Sequence, residues 1–340
     1  MTKKVVAAVL LVFGLFVFGG CSEPEAKKPK ESEQKQAEQK QATANTMELV
    51  YGQWEKSGHA IAIEADNPTE APGLREGGNC FFCHNGYAFE RQAKNLEGIG
   101  ILKGASCDTC HTGYGHGLLQ EGSVTIPLGD VKGGKGALCM SCHSGRGKEP
   151  DQESAPHHSV QTDVLLSKSG AEVEGFDYGR ATHAKISDTC LDCHMAEGKD
   201  GVRDHAFRMN EENVANACGK CHKFDTFNPT AEGDYDGDGK KEGIQNEVTG
   251  LLEVVKGAIN EKLDGGKFES THGDIQFQDK QAKVLDSPPS PETYNAAWNY
   301  FLIDYDGSKG VHNPAYAVRL LQQTYKALMG EDVPKAEIQK

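Results

Sequence analysis

The sequence predicts a mainly α-helical fold with extensive loops and little or no β-sheet. The helical part lies in the last third of the chain, where Val248, Leu251, Leu252, Val255 and Ile259 recur at the spacing of one helix face. The middle of the chain shows little periodicity, and its glycine-rich stretches separate copies of a short motif, Cys-x-x-Cys-His. The mean hydropathy is −0.57 and only 37% of the residues are hydrophobic. We therefore expect short helices and loops around the motifs, and a core that aliphatic side chains do not fill alone.

Five copies of Cys-x-x-Cys-His account for ten of the eleven cysteines. Thiols at i and i+3 on one turn reach both vinyl groups of a c-type haem, and the next residue presents its imidazole to the iron. One copy could be chance or half of a zinc site, whereas five copies predict five covalently attached haem c groups, which would also supply much of the core. The attachment sites are Cys80/Cys83, Cys107/Cys110, Cys139/Cys142, Cys190/Cys193 and Cys218/Cys221, and the proximal ligands are His84, His111, His143, His194 and His222.

Eight histidines outside the motifs are available as second iron ligands, and five haems need five of them. Methionine is less suitable here, because Met140 and Met195 lie inside or beside motifs whose turn commits the backbone to the proximal side. We therefore expect five bis-histidine haems of low potential. The candidates are His59, His116, His157, His158, His183, His205, His272 and His312.

The beginning of the chain predicts export. Residues 1–20 are typical of a signal peptide, with two lysines before an apolar run from Val5 to Phe18 that is too short to span a bilayer. Small residues directly before Cys21 are typical of a bacterial lipoprotein and predict lipidation of that cysteine, with an ordinary signal peptide as the alternative. Haem attachment to this motif in bacteria also takes place outside the cytoplasm. We expect an outer-membrane lipoprotein that faces the periplasm or the cell surface and is held to the membrane by its lipid anchor only.

Three regions follow the signal peptide. Residues 21–46 contain no aromatic and no large aliphatic residue, which predicts a disordered tether, with a short solvated helix as the alternative. Residues 47–225 hold the five motifs and form the predicted haem-binding region. Residues 226–340 form a helical region that we expect to supply a distal ligand and to pack on the haem core.

The formal net charge of the chain is −14. A charge this acidic argues against binding nucleic acid or anionic membrane surfaces through charge. It favours basic protein partners, other redox proteins among them, or cationic substrates.

The last region contains a candidate calcium loop. Asp234, Asp236 and Asp238 alternate along the chain, and Gly239 occupies the sixth position, where an EF-hand loop turns sharply. The twelfth position holds Gln245 instead of glutamate, so a solvated acidic turn is the alternative.

Two later segments are typical helix starts. Ser290-Pro291 and Asn313-Pro314 each place an N-cap residue before a proline at the first helical position. His312 directly precedes the second start, and a helix entry held by packing is a rigid place from which to offer a distal ligand.

Two stretches resemble the pentahaem, ammonia-forming cytochrome c nitrite reductases and their multihaem relatives. The first runs from His183, in His-Ala-Lys before CLDCHM, through Asp204-His205 to the motif that ends at His222. The second is Gly-Val-His-Asn-Pro around His312, ahead of an amphipathic helix. The resemblance implies the following distal and proximal pairs: His59 with His143, His205 with His111, His183 with His222, and His312 with His194.

The first motif departs from that family. The family's first motif ends in lysine and leaves an open catalytic iron, whereas here the motif ends in His84. The acidic and tyrosine residues after the family's third motif are replaced by Ser144-Gly145-Arg146. In the family a catalytic histidine comes from the region before the fourth motif, where this chain has His157 and His158. We expect His157 to be the distal ligand at His84, because the preceding Pro156 restricts the backbone that leads to it. His158, His116 and His272 are the alternatives.

The sequence thus predicts an extracytoplasmic pentahaem cytochrome that transfers single electrons in a respiratory chain and has no catalytic residue. One alternative is a multihaem reductase of a small nitrogen or sulfur oxyanion at one open haem. A third possibility is a homo-oligomer, such as a subunit of a cytochrome filament.

Overall fold

The computed structural model describes residues 31–60, 80–94, 104–179, 181–198, 201–223, 226–271 and 273–339. The signal peptide, Cys21 and the candidate ligand His272 lie outside the described residues. Residues 48–340 form one compact unit, separate from the residues up to Met47. Among the described residues, no helix is both long enough and apolar enough to cross a membrane.

The described part of the chain is mainly helical, as expected. Its helices are α1 (Glu31–Trp54), α2 (Cys80–His84), α3 (Gly86–Glu90), α4 (Cys107–His111), α5 (Gly113–Glu121), α6 (Ala137–Cys142), α7 (Gln161–Leu165), α8 (Cys190–His194), α9 (Val214–Ala217), α10 (Ile244–Lys262), α11 (Pro291–Asp306) and α12 (Pro314–Met329). The strands are β1 (Ser123–Ile126), β2 (Gly129–Lys132), β3 (Lys267–Thr271) and β4 (Asp274–Gln278).

The strands form two antiparallel hairpins. Ser123 pairs with Lys132 at the open end of the first, and Lys267 pairs with Gln278 in the second. The prediction of little sheet is therefore confirmed for the described residues.

Short helices carry four of the five motifs. Helices α2, α4 and α8 each begin at the first motif cysteine and end at the motif histidine, and α6 contains both cysteines of the third motif. A single helical turn places residues i and i+3 on the same face, which is what two thioether links to one porphyrin require. The fifth motif follows α9, which ends at Ala217 directly before Cys218, and its second cysteine, Cys221, lies in the turn after that helix.

The long C-terminal helices begin where the sequence predicts. The Ser290 hydroxyl accepts a hydrogen bond from the Thr293 amide at 3.1 Å, and Pro291 is the first residue of α11. The Asn313 side chain caps α12 in the same way, accepting from the Tyr316 amide at 3.2 Å. These caps satisfy amides that have no partner within the helix.

Helices α10, α11 and α12 enclose the larger hydrophobic core. Trp298, Tyr294 and Tyr316 are fully buried in it, and the Trp298 indole donates to the Ser169 carbonyl at 2.7 Å. Side chains from the haem-binding region, including Val160 and Val164, belong to the same core. The C-terminal region therefore packs directly on the segment that leads to the fourth motif.

The expected disordered tether is helical over part of its length. Helix α1 includes residues 31–46, and those of its side chains that the structure describes there are exposed. Lysine, glutamate, glutamine and alanine dominate this stretch, and their high helix propensity offers a physical reason for the difference. The structure thus favours the alternative of a solvated helix there.

Candidate functional site

Each motif histidine lies opposite a histidine from outside the motifs. The ring centroids of His84 and His158 are 5.9 Å apart, and those of His111 and His205 are 6.4 Å apart. The other pairs are His59 with His143 at 6.1 Å, His194 with His312 at 6.0 Å, and His183 with His222 at 6.2 Å.

These spacings fit two imidazoles on one iron. A bond of about 2 Å from imidazole nitrogen to a first-row metal places two opposite ring centroids roughly 6 Å apart. Aromatic rings that only pack together span about 4.5–7 Å, so the distance alone is not decisive. The pattern of pairs is the stronger argument for iron ligation. All five motif histidines face different partners, and each partner comes from outside the motifs. The residues present therefore fit five haem groups.

Hydrogen bonds at Nδ1 orient several of these rings. His205 bonds to the Arg203 carbonyl at 2.8 Å and His194 to the Phe207 carbonyl at 3.1 Å. His183 bonds to the Val311 carbonyl at 3.0 Å. A neutral imidazole that donates from Nδ1 keeps Nε2 as the acceptor nitrogen, and such bonds fix the tautomer of metal-binding histidines.

Burial lowers the pKa of several candidate ligand rings, among them His59, His143 and His194. Desolvation, and then the neighbouring His143, lower the pKa of His59 to about 4. A protonated imidazole cannot bind a metal, so a low pKa favours ligation at neutral pH. His312 differs: burial opposes its charge, but the adjacent Asp306 carboxylate raises its pKa overall.

His158 lies opposite His84, which favours this alternative ligand over the expected His157. The ring of His157 stacks on that of His158 at 4.2 Å between centroids. Its Nδ1 lies 2.7 Å from the Ser159 hydroxyl, which holds the ring in place beside the pair. The competitor His116 lies on the exposed side of α5.

Cysteines of different motifs also meet. Cys83 lies close enough to Cys142, and Cys139 to Cys190, for the members of each pair to interact electrostatically. The Cys83 thiol also donates to the Ser141 carbonyl, next to Cys142, at 3.8 Å. In the mature protein these sulfur atoms would be thioethers that mark porphyrin edges. The third motif therefore lies beside both the first and the fourth.

Cys221 of the fifth motif lies outside a helix, at the end of the predicted haem-binding region. Its side chain is exposed, as is that of Cys107, whereas the other motif cysteines whose burial the structure describes are partly buried. The physical reason is its position at the end of the haem-binding region, where residues 219–223 are all exposed. The turn itself still suits attachment, because the Cys221 amide donates to the Cys218 carbonyl at 3.1 Å and brings the two cysteines together. Haem attachment at Cys221 therefore stays a prediction, but at the surface of the described structure and outside a helix.

Close backbone approach joins the third and fourth motifs. Gly136 lies against the Thr189 hydroxyl, so close that a Cβ atom there would overlap it, and the Thr189 hydroxyl donates to the Gly133 carbonyl at 2.8 Å. The Asp188 carboxylate accepts from the Lys135 amide at 3.0 Å. The glycine-rich stretch before the third motif is thus required for contact between motifs.

The end of α11 and the turn that leads to α12 support three of the five pairs. His312, in this turn, faces His194, and the Val311 carbonyl accepts from His183. The Gln161 amide donates to the Tyr305 carbonyl at 3.1 Å, and its side-chain oxygen lies 3.2 Å from Nδ1 of His143. The C-terminal region therefore positions ligands of the third, fourth and fifth motifs, more than the single ligand expected from the sequence.

The acidic loop has a different candidate ligand set from the predicted one. Ligand oxygens of Asp234, Asp236 and Glu247 all lie within 4.8 Å of one another. Asp238 instead pairs with Lys240 at 3.0 Å, because it lies on the exposed side of the loop. The sequence pattern did not predict Glu247 as a ligand, because this residue follows the twelfth loop position and lies in the first turn of α10.

Glu247 is buried and holds the loop together. Its two carboxylate oxygens accept from the Tyr235 and Glu242 amides, each at 2.7 Å. Burial, followed by the charge of Glu247, raises the pKa of Asp236. Three carboxylates this close repel one another, which a divalent cation would relieve.

Comparisons with known proteins match this chain to cytochrome families and to a solved cytochrome structure. A family model described as cytochrome c552 matches residues 157–333, just over half of the chain. A second, described as cytochrome c554 and c-prime, matches residues 44–112. The crystal structure of outer cell wall cytochrome OcwA has a similar fold, with a TM-score of 0.50 and 22% sequence identity. That match covers 82% of this chain and 50% of OcwA, so the chain spans about half the length of that structure. A comparison with curated proteins found no match.

Proposed function

The chain belongs to the cytochrome c552 family, and from this premise we propose that it is an extracytoplasmic pentahaem cytochrome that transfers single electrons through bis-histidine haems. The observation that carries the proposal is the pairing of all five motif histidines with five separate histidines. When bound, haem supplies reversible one-electron chemistry at iron. The chain provides the ligands, their orientation and their burial.

Two imidazoles per iron favour a carrier over an enzyme. Each histidine pair would hold its iron with two imidazoles and would leave no free coordination site for a small oxyanion. The hydrogen bonds of His194 and His205 to backbone carbonyls oppose rotation of these rings away from their partners. A ligand shell held in this way also changes little between oxidation states, which favours electron transfer.

The contacts between motif cysteines support a continuous path. Cys83 lies near Cys142, and Cys139 lies near Cys190, so the third motif would hold its haem next to those of the first and fourth motifs. Haem attached at these neighbouring motifs would supply one-electron chemistry at successive positions, which favours electron transfer from motif to motif.

The first haem is where the alternative function, oxyanion reduction, has support. His158 is exposed, whereas His59, His183, His205 and His312 are partly buried. An exposed distal ligand is easier to displace by a substrate than a packed one. A reductase would therefore act at the iron bound by His84.

Replacement of the two adjacent histidines tests the proposal. His158→Ala should open one haem of the five, giving a high-spin electron paramagnetic resonance signal and CO binding after reduction. The matched variant His157→Ala should keep all five haems low-spin, since the His157 ring stacks on His158, and His158 is the histidine paired with His84. If His157→Ala opens the haem and His158→Ala does not, the assignment of ligands is wrong.

The remaining parts of the proposal follow from the sequence. Export with lipidation at Cys21 would place the protein in the periplasm or at the cell surface, where respiratory chains pass electrons outward. The charge of −14 favours docking of basic redox partners. A calcium ion at Asp234, Asp236 and Glu247 would fix the start of α10 against the loop.

A further inference from the structure

We propose that Asp306 is a positioning residue that lowers the reduction potential of the haem attached at Cys190 and Cys193. The inference rests on the function proposed above, in which His194 and His312 bind the same iron. Asp306 acts on that iron through His312.

The carboxylate of Asp306 contacts the distal ligand directly. Its Oδ1 lies 2.7 Å from Nδ1 of His312, whose ring centroid lies 6.0 Å from that of His194. Because Nδ1 is engaged by the carboxylate, Nε2 is the nitrogen left for iron. The Asp306 side chain is only 1% exposed, so water screens its charge little.

Other ligands have weaker partners at the same position. Nδ1 of His183, His194 and His205 bonds to backbone carbonyls, which are neutral. A carboxylate draws the N–H proton toward itself, so the ring gives more electron density to the metal. Both this effect and the negative charge itself stabilise oxidised over reduced iron, and both therefore lower the potential.

Helix stability does not explain why a carboxylate occupies this position. Asp306 is the last residue of α11, where the helix dipole opposes a negative charge, and burial opposes it further. Ser308 compensates locally, since its hydroxyl donates to Oδ2 of Asp306 in a short hydrogen bond and accepts from the His312 amide at 3.1 Å. Gly307 allows this return of the chain through its left-handed φ of 72°. The turn thus holds a buried anion against an iron ligand.

A redox titration of Asp306→Asn tests the inference. We expect one haem of the five to shift to higher potential by at least about tenfold in its Fe(III)/Fe(II) equilibrium, which is about 59 mV for one electron. The other four should titrate as in the unmodified protein, and all five should remain low-spin. Asp304→Asn is the matched control, because it removes the same charge from the exposed side of the same helix. An equal shift in both variants would assign the effect to net charge and overturn the inference.

Two further variants separate the possible failures. If Asp306→Asn titrates like the unmodified protein with five low-spin haems, the inference fails and the ligation stands. If His312→Ala leaves all five haems low-spin, the ligation fails and the inference falls with it. Should Asp306→Asn not accumulate, Ser308→Ala decides: losing its hydrogen bond concentrates charge on the carboxylate, so the same haem should shift to lower potential. No shift, or a rise, would contradict the role of Asp306.

Discussion

Asn313 lies where the turn between α11 and α12, which carries the ligand His312, enters α12. Replacing Asn313 should show how much this connection stabilises the fold. This residue follows His312 directly and is only 2% exposed. Its side-chain oxygen caps α12 at the Tyr316 amide, and its amide group donates to the Val164 carbonyl at 3.1 Å and to the Ser167 hydroxyl at 2.8 Å. Asn313→Ala removes all three bonds.

The expected loss of stability can be built from these three contacts. Loss of an N-cap costs about 1 kcal/mol. Each of the other two hydrogen bonds contributes about 1 kcal/mol net. The Val164 carbonyl keeps a second donor, the Ser167 amide at 3.1 Å, so the larger cost of an unpaired buried carbonyl does not apply. We therefore expect a fall of about 3 kcal/mol in the free energy of unfolding for the alanine variant.

Asn313→Ser separates the cap from the other bonds. Serine caps a helix as well as asparagine but is too short to reach Val164 and Ser167, so this variant should lose about 2 kcal/mol. Guanidinium unfolding of the holoprotein, followed by far-ultraviolet circular dichroism, measures both, provided that the denaturant slope is unchanged. The reasoning is refuted if the alanine variant loses less than about 0.5 kcal/mol, the range of a neutral surface substitution. If the serine and alanine variants lose the same free energy of unfolding, the N-cap hydrogen bond does not contribute to stability.

Two other predictions concern the acidic loop and the haem count. Calcium should release or absorb heat on binding to chelator-treated protein and raise its melting temperature; Asp236→Asn should abolish both effects, and Asp238→Asn should keep them because Asp238 pairs with Lys240. Absence of both effects in the unmodified protein would leave a solvated turn. Intact mass should show five haems per mature chain, and Cys190→Ser should prevent accumulation of folded protein because haem forms part of the core. Normal yield and protease resistance of that variant would contradict the structural role of haem.

Much of the haem-binding pattern could be predicted from the sequence, because Cys-x-x-Cys-His fixes attachment within five residues. The helix starts at Ser290 and Asn313 could also be predicted from the sequence, because helix capping depends on residues close to each other in the chain. The choice between His157 and His158 was not, because it depends on which ring turns toward His84 and which is held by Ser159. Which of the two histidines faces His84 is determined by tertiary contacts, and the adjacent residues in the sequence do not reveal these contacts.

The acidic loop and the ligand turn show the same limit. Counting along an EF-hand pattern pointed to Asp238, whereas the fold brings in Glu247 from the following helix. The sequence contains one feature that points to Asp306: it is a charged residue on the apolar side of a helix and lies close to His312. Its partner could not be inferred, since the turn at Gly307 determines where the carboxylate points.

Electron paramagnetic resonance of the oxidised, unmodified protein at neutral pH, followed by CO addition after reduction, tests the central claim most directly. If every motif histidine shares its iron with the histidine opposite, all five haems are low-spin, no high-spin signal appears and CO does not bind readily. A high-spin signal from one haem of the five, with CO binding and turnover of nitrite, would contradict the claim. In that case a reductase with an open iron, and not an electron carrier, would be the correct description of this protein.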